Sequence, residues 1–261
     1  MGYIPTEAHR ELAAVVVAGI IGVMKARQAN LTTIGFDADD TLWENEHFYR
    51  LTETRFAELL GDHLDAAGVS ARLLDAAKRN LNLYGFGIKS FTLTMIETAV
   101  EVTGGRVTGE VIGKILAIGR EMLSHPIETL PDARQAIEAL KGRYRIVLVT
   151  KGDLFDQERK LAQSGLGELF DAVEIVSDKN ADTYRRAFSR HGDGPERSMM
   201  IGNSLKSDVV PALEAGSWGV FVPHELTWAA EHAAEPDGHP RFRKIERLGQ
   251  LGELIAEIEE R

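Results

Sequence analysis

The sequence predicts an α/β protein: a doubly wound parallel sheet carrying a smaller all-helical domain. Two observations lead there. Short apolar runs at 33–36, 145–150, 172–176, 198–201 and 218–222 are apolar or β-branched on both faces and bounded by Gly, Asp, Asn or Pro, as strands of a sheet covered on both sides must be. Between the later runs lie helical patterns at 132–141, 153–164, 182–191 and 207–215, and strand–helix alternation implies right-handed crossovers. The exception is the stretch between about residues 44 and 126, which holds helical periodicity and no strand.

Taken in order, residues 7–27 read as a helix with Leu12, Val15, Val16, Ile20, Val23 and Met24 in one band, a supporting helix or a subunit contact that would make a homodimer. The first strand, 33–36, runs straight into Asp37-Ala38-Asp39-Asp40-Thr41. Phe48, Leu51, Phe56, Leu59, Leu60 and Leu64 then give one helical face, and Val111, Ile112, Ile115, Leu116, Met122 and Leu123 another. These helices form a lid over the end of the first strand, with hinges at 43–46 and 124–126, where Pro126 disfavours helix at its predecessor. The expected division is a helical extension over 1–30, a core from 31–44 and 126–261, and a helical cap over 45–125. The tail, 245–261, reads as a last helix with Leu248, Leu251, Leu254, Ile255 and Ile258 inward.

Composition narrows the function. At 261 residues with 44% apolar and 27% charged residues the chain suits one large domain or a domain plus an insert. A formal charge of −10 argues against nucleic acid, which calls for a basic face. With no cysteine, disulfides and thiolate metal sites are excluded. The most hydrophobic stretch, 13–24, is too short to span a bilayer and lacks a cationic lead, so a cytoplasmic protein without a membrane segment is expected.

The chemistry gathers at strand ends. Asp37 and Asp39 fall on the same side of an extended chain and repel unless a cation lies between them. Oxygen-only ligands favour a hard ion such as Mg²⁺. The second strand ends in Thr150-Lys151-Gly152-Asp153, Lys179 comes soon after the third, and the fourth runs into a loop containing Asn203 and Asp208. In a parallel sheet all four clusters meet on one rim, where such folds bind ligands. Two features bear on substrate: Tyr84-Gly85-Phe86-Gly87-Ile88-Lys89-Ser90, a turn able to reach the cleft with Phe86 on an apolar moiety and Lys89 on an anion, and Trp43, placed to line the entrance or pack the hinge. His47, His125 and His224 show no ligand spacing.

On these residues the chain, from 32 to about 223, resembles the haloacid dehalogenase-like hydrolases, whose first motif has the form DxDxT and whose helical cap is inserted between the first and second motifs. The resemblance implies a Rossmann-like core and a Mg²⁺-dependent phosphatase working through an aspartyl-phosphate. Asp37 would be the nucleophile and Asp39 the acid and base; Thr150, Lys151, Gly152 and Lys179 would bind phosphate; Asp37, Asp39 (through its carbonyl), Asn203 and Asp208 would hold the metal. Asn203 stands where the family usually has an acid, and Asn180 where a proline commonly follows the lysine. Asp39 points to phosphate esters rather than haloacids. The expected substrate is a small soluble phosphometabolite; phosphoryl transfer by a mutase and a catalytically weak phosphate-binding protein are the alternatives.

Overall fold

The computed structural model describes residues 31–228 and 231–260; the helix expected over 7–27 lies outside them. The sheet has the strand order β3-β2-β1-β4-β5-β6, with every pairing parallel. Its strands are β1 Thr33–Phe36, β2 Arg145–Lys151, β3 Ala172–Val176, β4 Ser198–Gly202, β5 Trp218–Phe221 and β6 Phe242–Lys244. The first five match the expected runs. β6 lies outside those runs and adds a short edge strand beside β5. Accordingly, the expected tail helix is shorter than 245–261. It begins at Leu251, although Leu248, Leu251, Leu254, Ile255 and Ile258 are all buried.

The pleat explains how both faces are filled. In β2, Ile146 and Leu148 join Ile34, Phe36, Met199 and Ile201 on one face, against α5 (Ala133–Leu140) and α9 (Leu251–Glu259). Val147 and Val149 point the other way, to Tyr184 and Phe188 of α7 (Ala181–His191) and Ala212 of α8 (Val210–Ala215). The remaining core helix, α6 (Leu154–Ser164), follows β2 and is capped by Asp153, whose side chain accepts from the Asp156 amide at 3.1 Å.

Four helices follow β1: α1 Glu46–Leu59, α2 Ala66–Tyr84, α3 Ile88–Val102 and α4 Gly109–Ser124. They bury a cluster of their own, including Phe56, Leu60, Leu73, Met95 and Ile115. Leu51 and Leu116, assigned to the inner faces, are instead exposed at 51% and 39%. The chain enters and leaves this helical insert through two segments joined by an isolated antiparallel bridge, Trp43 to Thr129: Glu44 N–H donates to the Glu128 carbonyl at 2.9 Å, and Leu130 N–H to that of Leu42 at 2.9 Å. Among the described residues no helix is long and apolar enough to cross a membrane.

Candidate active site

The β1–β4 register sets Phe36 beside Ile201, so the chain leaves both strands at the same level; Asp37 N–H continues the ladder to the Ile201 carbonyl at 2.9 Å. Asp37 is thereby placed at the carboxyl edge and is only 6% exposed. One of its oxygens accepts from the Thr41 hydroxyl at 2.9 Å, and the other accepts from the Lys179 ammonium. Lys179 also donates to Asp208 at 2.7 Å, which ties together the ends of β1, β3 and β4. Burial and the Asp208 charge push Asp37 up to about 7, with Lys179 opposing them. Burial works against the charge on Lys179, yet Asp208 and Asp37 override it and raise its proton affinity.

Asn203 joins the same group through Thr41: its amide oxygen lies 3.3 Å from the Thr41 hydroxyl, and its backbone N–H donates to that hydroxyl at 3.0 Å. Asp208 sits in a single π-helical turn, Leu205–Val209, where its second oxygen accepts from Ser204 N–H at 3.0 Å. Gly202 permits this closeness, since a Cβ there would stand 2.2 Å from Asp208 Oδ2. Asp37, Asn203 and Asp208 therefore converge as a set of oxygen donors, the chemistry a hard divalent cation requires.

Thr150, next to last in β2, has its hydroxyl buried and without a hydrogen-bond partner. Asp153, not Thr150, caps the next helix, which leaves this hydroxyl available to a ligand. Thr150, Lys151, Lys179 and Asp37 line one cavity of about 200 Å³ between the sheet edge and the helical insert. Gly152 does not line it but has a φ of 150°, which turns the chain away from β2.

Asp39 faces a different set of partners. Lys160 of α6 donates to its two oxygens at 3.0 and 3.1 Å, Gln157 to one at 2.9 Å, and the Trp43 indole to the other at 2.7 Å. Burial alone would raise Asp39, but the Lys160 charge and these hydrogen bonds hold it below the ordinary carboxylate value.

Two substrate residues named from the sequence need correcting. Trp43 is fully buried in the core and holds Asp39 instead of lining the entrance. Lys89 pairs with Asp153 at 2.9 Å and does not line the cavity, because the helix-capping carboxylate lies within its reach. Phe86 does line the cavity; Lys151 lies 4.0 Å from its ring centre, and the flanking Gly85 and Gly87 adopt φ of 72° and 105°. Gly87 also passes close to Asp153, where a Cβ would meet the Asp153 backbone at 3.3 Å.

Sequence reasoning missed Gln157, Lys160 and Glu231. Glu231 accepts from Lys151 at 2.7 Å and from Ser204 at 2.6 Å, and also from Ser207. Despite burial, the Lys151 charge and these bonds bring it down to about 2. His224 comes near Asp40 and Glu44, which would allow a shared ion, but Asp40 already accepts from the Asn45 and Glu46 amides at 2.8 and 2.9 Å and so fixes the start of α1.

Residues 31–216 match the family described as haloacid dehalogenase-like hydrolase. The chain belongs to the haloacid dehalogenase-like hydrolases. A haloacid dehalogenase-like family hydrolase from Xanthomonas campestris is similar to it at 41% identity and a TM-score of 0.78, over 88% of this chain and 92% of that one. Glyceraldehyde 3-phosphate phosphatase of Methanothermobacter thermautotrophicus is 26% identical over 238 residues, 86% of this chain and 100% of the relative. Pyrimidine 5'-nucleotidase YjjG of Escherichia coli is 26% identical over 133 residues, 48% of this chain and 56% of the relative. The core of this haloacid dehalogenase-like hydrolase is thus an α/β sheet of the family type.

Proposed function

We propose that this hydrolase is a Mg²⁺-dependent phosphomonoesterase acting on a small soluble phosphorylated metabolite in the cytoplasm, with the insert over 45–125 as its cap. The observation that carries the reading is the buried, unpartnered Thr150 hydroxyl in the cavity that holds Asp37 and Lys179. An orphaned donor beside a buried ammonium suits the oxygens of a phosphate. The glyceraldehyde 3-phosphate phosphatase and the pyrimidine 5'-nucleotidase act on phosphate esters by their names, which supports the same class here.

In the proposed reaction a carboxylate oxygen of Asp37 attacks phosphorus while the ester P–O bond breaks, and Asp39 gives a proton to the departing alcohol oxygen. Phosphate entering beside Asp39 raises its proton affinity against the pull of Lys160. Water then attacks phosphorus, its proton goes to Asp39, and the Asp37–phosphorus bond breaks to release phosphate. Lys179, with the Thr150 hydroxyl and the Lys151 amide, holds the phosphoryl oxygens as charge spreads over them, while the Gly152 amide donates to the Val176 carbonyl at 3.3 Å and takes no part. Asp37, Asp208, the Asn203 amide oxygen and the Asp39 carbonyl would hold Mg²⁺. The bound ion supplies charge neutralisation that lets an anionic carboxylate approach an anionic ester.

The test is phosphate release from p-nitrophenyl phosphate with Mg²⁺ and with EDTA, in wild type and Asp37→Asn. Turnover that needs both Mg²⁺ and Asp37 is expected. Wild-type turnover by Asp37→Asn would contradict the reading.

A further inference from the structure

The charges of the cavity carry information about the half of the substrate that is not phosphate. Among the described residues, its lining cations are Lys151, Lys160 and Lys179, and each is matched to carboxylates: Lys151 to Glu231 at 2.7 Å, Lys160 to Asp39 at 3.0 Å, Lys179 to Asp37 and to Asp208 at 2.7 Å. Of these, Lys179 belongs to the phosphate end. On the side of the insert the charged lining residues are acidic, and the rest are apolar or neutral polar, the latter including Tyr49, Ser90 and Thr94. Glu46 and Glu53 come from α1, and Leu73, Leu74, Ala77 and Leu81 from α2. Arg50 pairs with Glu46 at 3.0 Å and its charge also acts on Glu53, so one cation serves two carboxylates, and it does not line the cavity. Lys89, the remaining cation near the turn at 85–87, is held by Asp153.

A second observation concerns hydrogen bonding. Gln157 is 3% exposed and lines the cavity; its amide nitrogen donates to Asp39 at 2.9 Å and to the Lys151 carbonyl at 3.0 Å. Two acceptors on that atom fix the orientation of the amide, and Oε1 is then a buried acceptor with no donor. Such an atom calls for a hydroxyl or ammonium hydrogen and is repelled by a carboxylate or phosphate oxygen.

We propose that the cavity selects phosphomonoesters whose alcohol half is uncharged or cationic and carries hydroxyl or ammonium donors, and rejects those with a second anionic group, Glu46 and Glu53 being the specificity-determining residues. This rests on the phosphatase reading and deepens it. A second anion would face two carboxylates with no unmatched cation among the described lining residues, under a roof whose polar groups are neutral. Pairing it with a lining lysine would mean displacing a carboxylate already there, Glu231 from Lys151, Ser204 and Ser207 or Asp39 from Lys160. A sugar, polyol, nucleoside or amino alcohol meets none of these penalties, and its donors satisfy Gln157.

The experiment uses matched pairs of esters: glycerol 3-phosphate against 3-phosphoglycerate, and phosphoethanolamine against phosphoglycolate. Phosphate release is followed with Mg²⁺ at pH 8, above the value of about 7 to which burial raises Glu46, alongside p-nitrophenyl phosphate. The expected result is a kcat/KM ratio of about tenfold or more in favour of the neutral or cationic member of each pair. The ratio is expected to narrow in Glu46→Gln/Glu53→Gln, and because both members meet the same enzyme it does not depend on the fraction folded. Turnover of p-nitrophenyl phosphate with equal or preferred use of the anionic members overturns this inference and leaves the phosphatase reading standing. A ratio unchanged in the double variant overturns the assignment to Glu46 and Glu53. Absence of turnover with every ester overturns both readings.

Discussion

The ammonium of Lys160 lies 3.0 Å from one oxygen of Asp39 and 3.1 Å from the other, reaching from α6 to the loop after β1. The pair is mostly enclosed, with side-chain exposures of 7% and 22%. Removing one partner strands the other, whereas removing both does not. In a cycle of Lys160→Met and Asp39→Asn on the metal-free protein, urea unfolding should give a coupling energy of about 1–3 kcal/mol. Additive effects would show that the pair does not form in solution.

Glu46 provides a pH test. Burial pushes it up to about 7 against an ordinary 4.5, with Arg50 opposing the shift. The folded chain binds this proton more tightly than the unfolded chain. Its stabilising contribution is therefore full below about pH 4.5 and is lost as pH rises through 7. Glu46→Gln should raise Tm at pH 8, by an amount equivalent to ~1 kcal/mol once solvent access and the lost Arg50 pair are allowed for, and should do little at pH 4. An equal effect at both pH values would count against the shift.

Gly202 tests the packing behind Asp208. A Cβ at this position would lie 2.2 Å from Asp208 Oδ2 and 2.6 Å from Asp208 Cβ, so Gly202→Ala must move the π-helical turn or the strand. A loss of about 1–3 kcal/mol is expected, together with weaker Mg²⁺ binding by calorimetry. Unaltered Mg²⁺ affinity would place Asp208 outside the metal set.

Asn203 supplies a neutral oxygen, 3.3 Å from the Thr41 hydroxyl that also holds Asp37. Restoring a charge with Asn203→Asp should tighten Mg²⁺ by roughly tenfold, because ligand charge governs affinity for hard cations. An unchanged titration would mean that residue 203 does not touch the ion.

The sequence revealed the strands with buried apolar runs and the loops that leave them, because a covered parallel sheet tolerates little else. It concealed β6, three residues of which two are cationic, as suits an edge strand that is not covered on both sides. Lys160 and Gln157 lie three apart on one face of a helix and belong to no motif; the arrival of Asp39 from the β1 loop gives them their role. Glu231 was hidden in a segment without periodicity, and its partner Lys151 is eighty residues away in sequence. For Lys89 the nature of the side chain was apparent but its partner was not: a lysine on a glycine turn suggests a ligand until the capping carboxylate of Asp153 is found beside it.

Asp37 as the nucleophile is the central claim, and a trapped intermediate tests it most directly. The enzyme is acid-quenched during turnover of p-nitrophenyl phosphate with Mg²⁺, reduced with borohydride and mapped by mass spectrometry. The account predicts reduction of the acyl phosphate to homoserine at position 37 alone, absent without substrate. Sustained phosphate release with position 37 unmodified, or with the modification at another carboxylate, would contradict it.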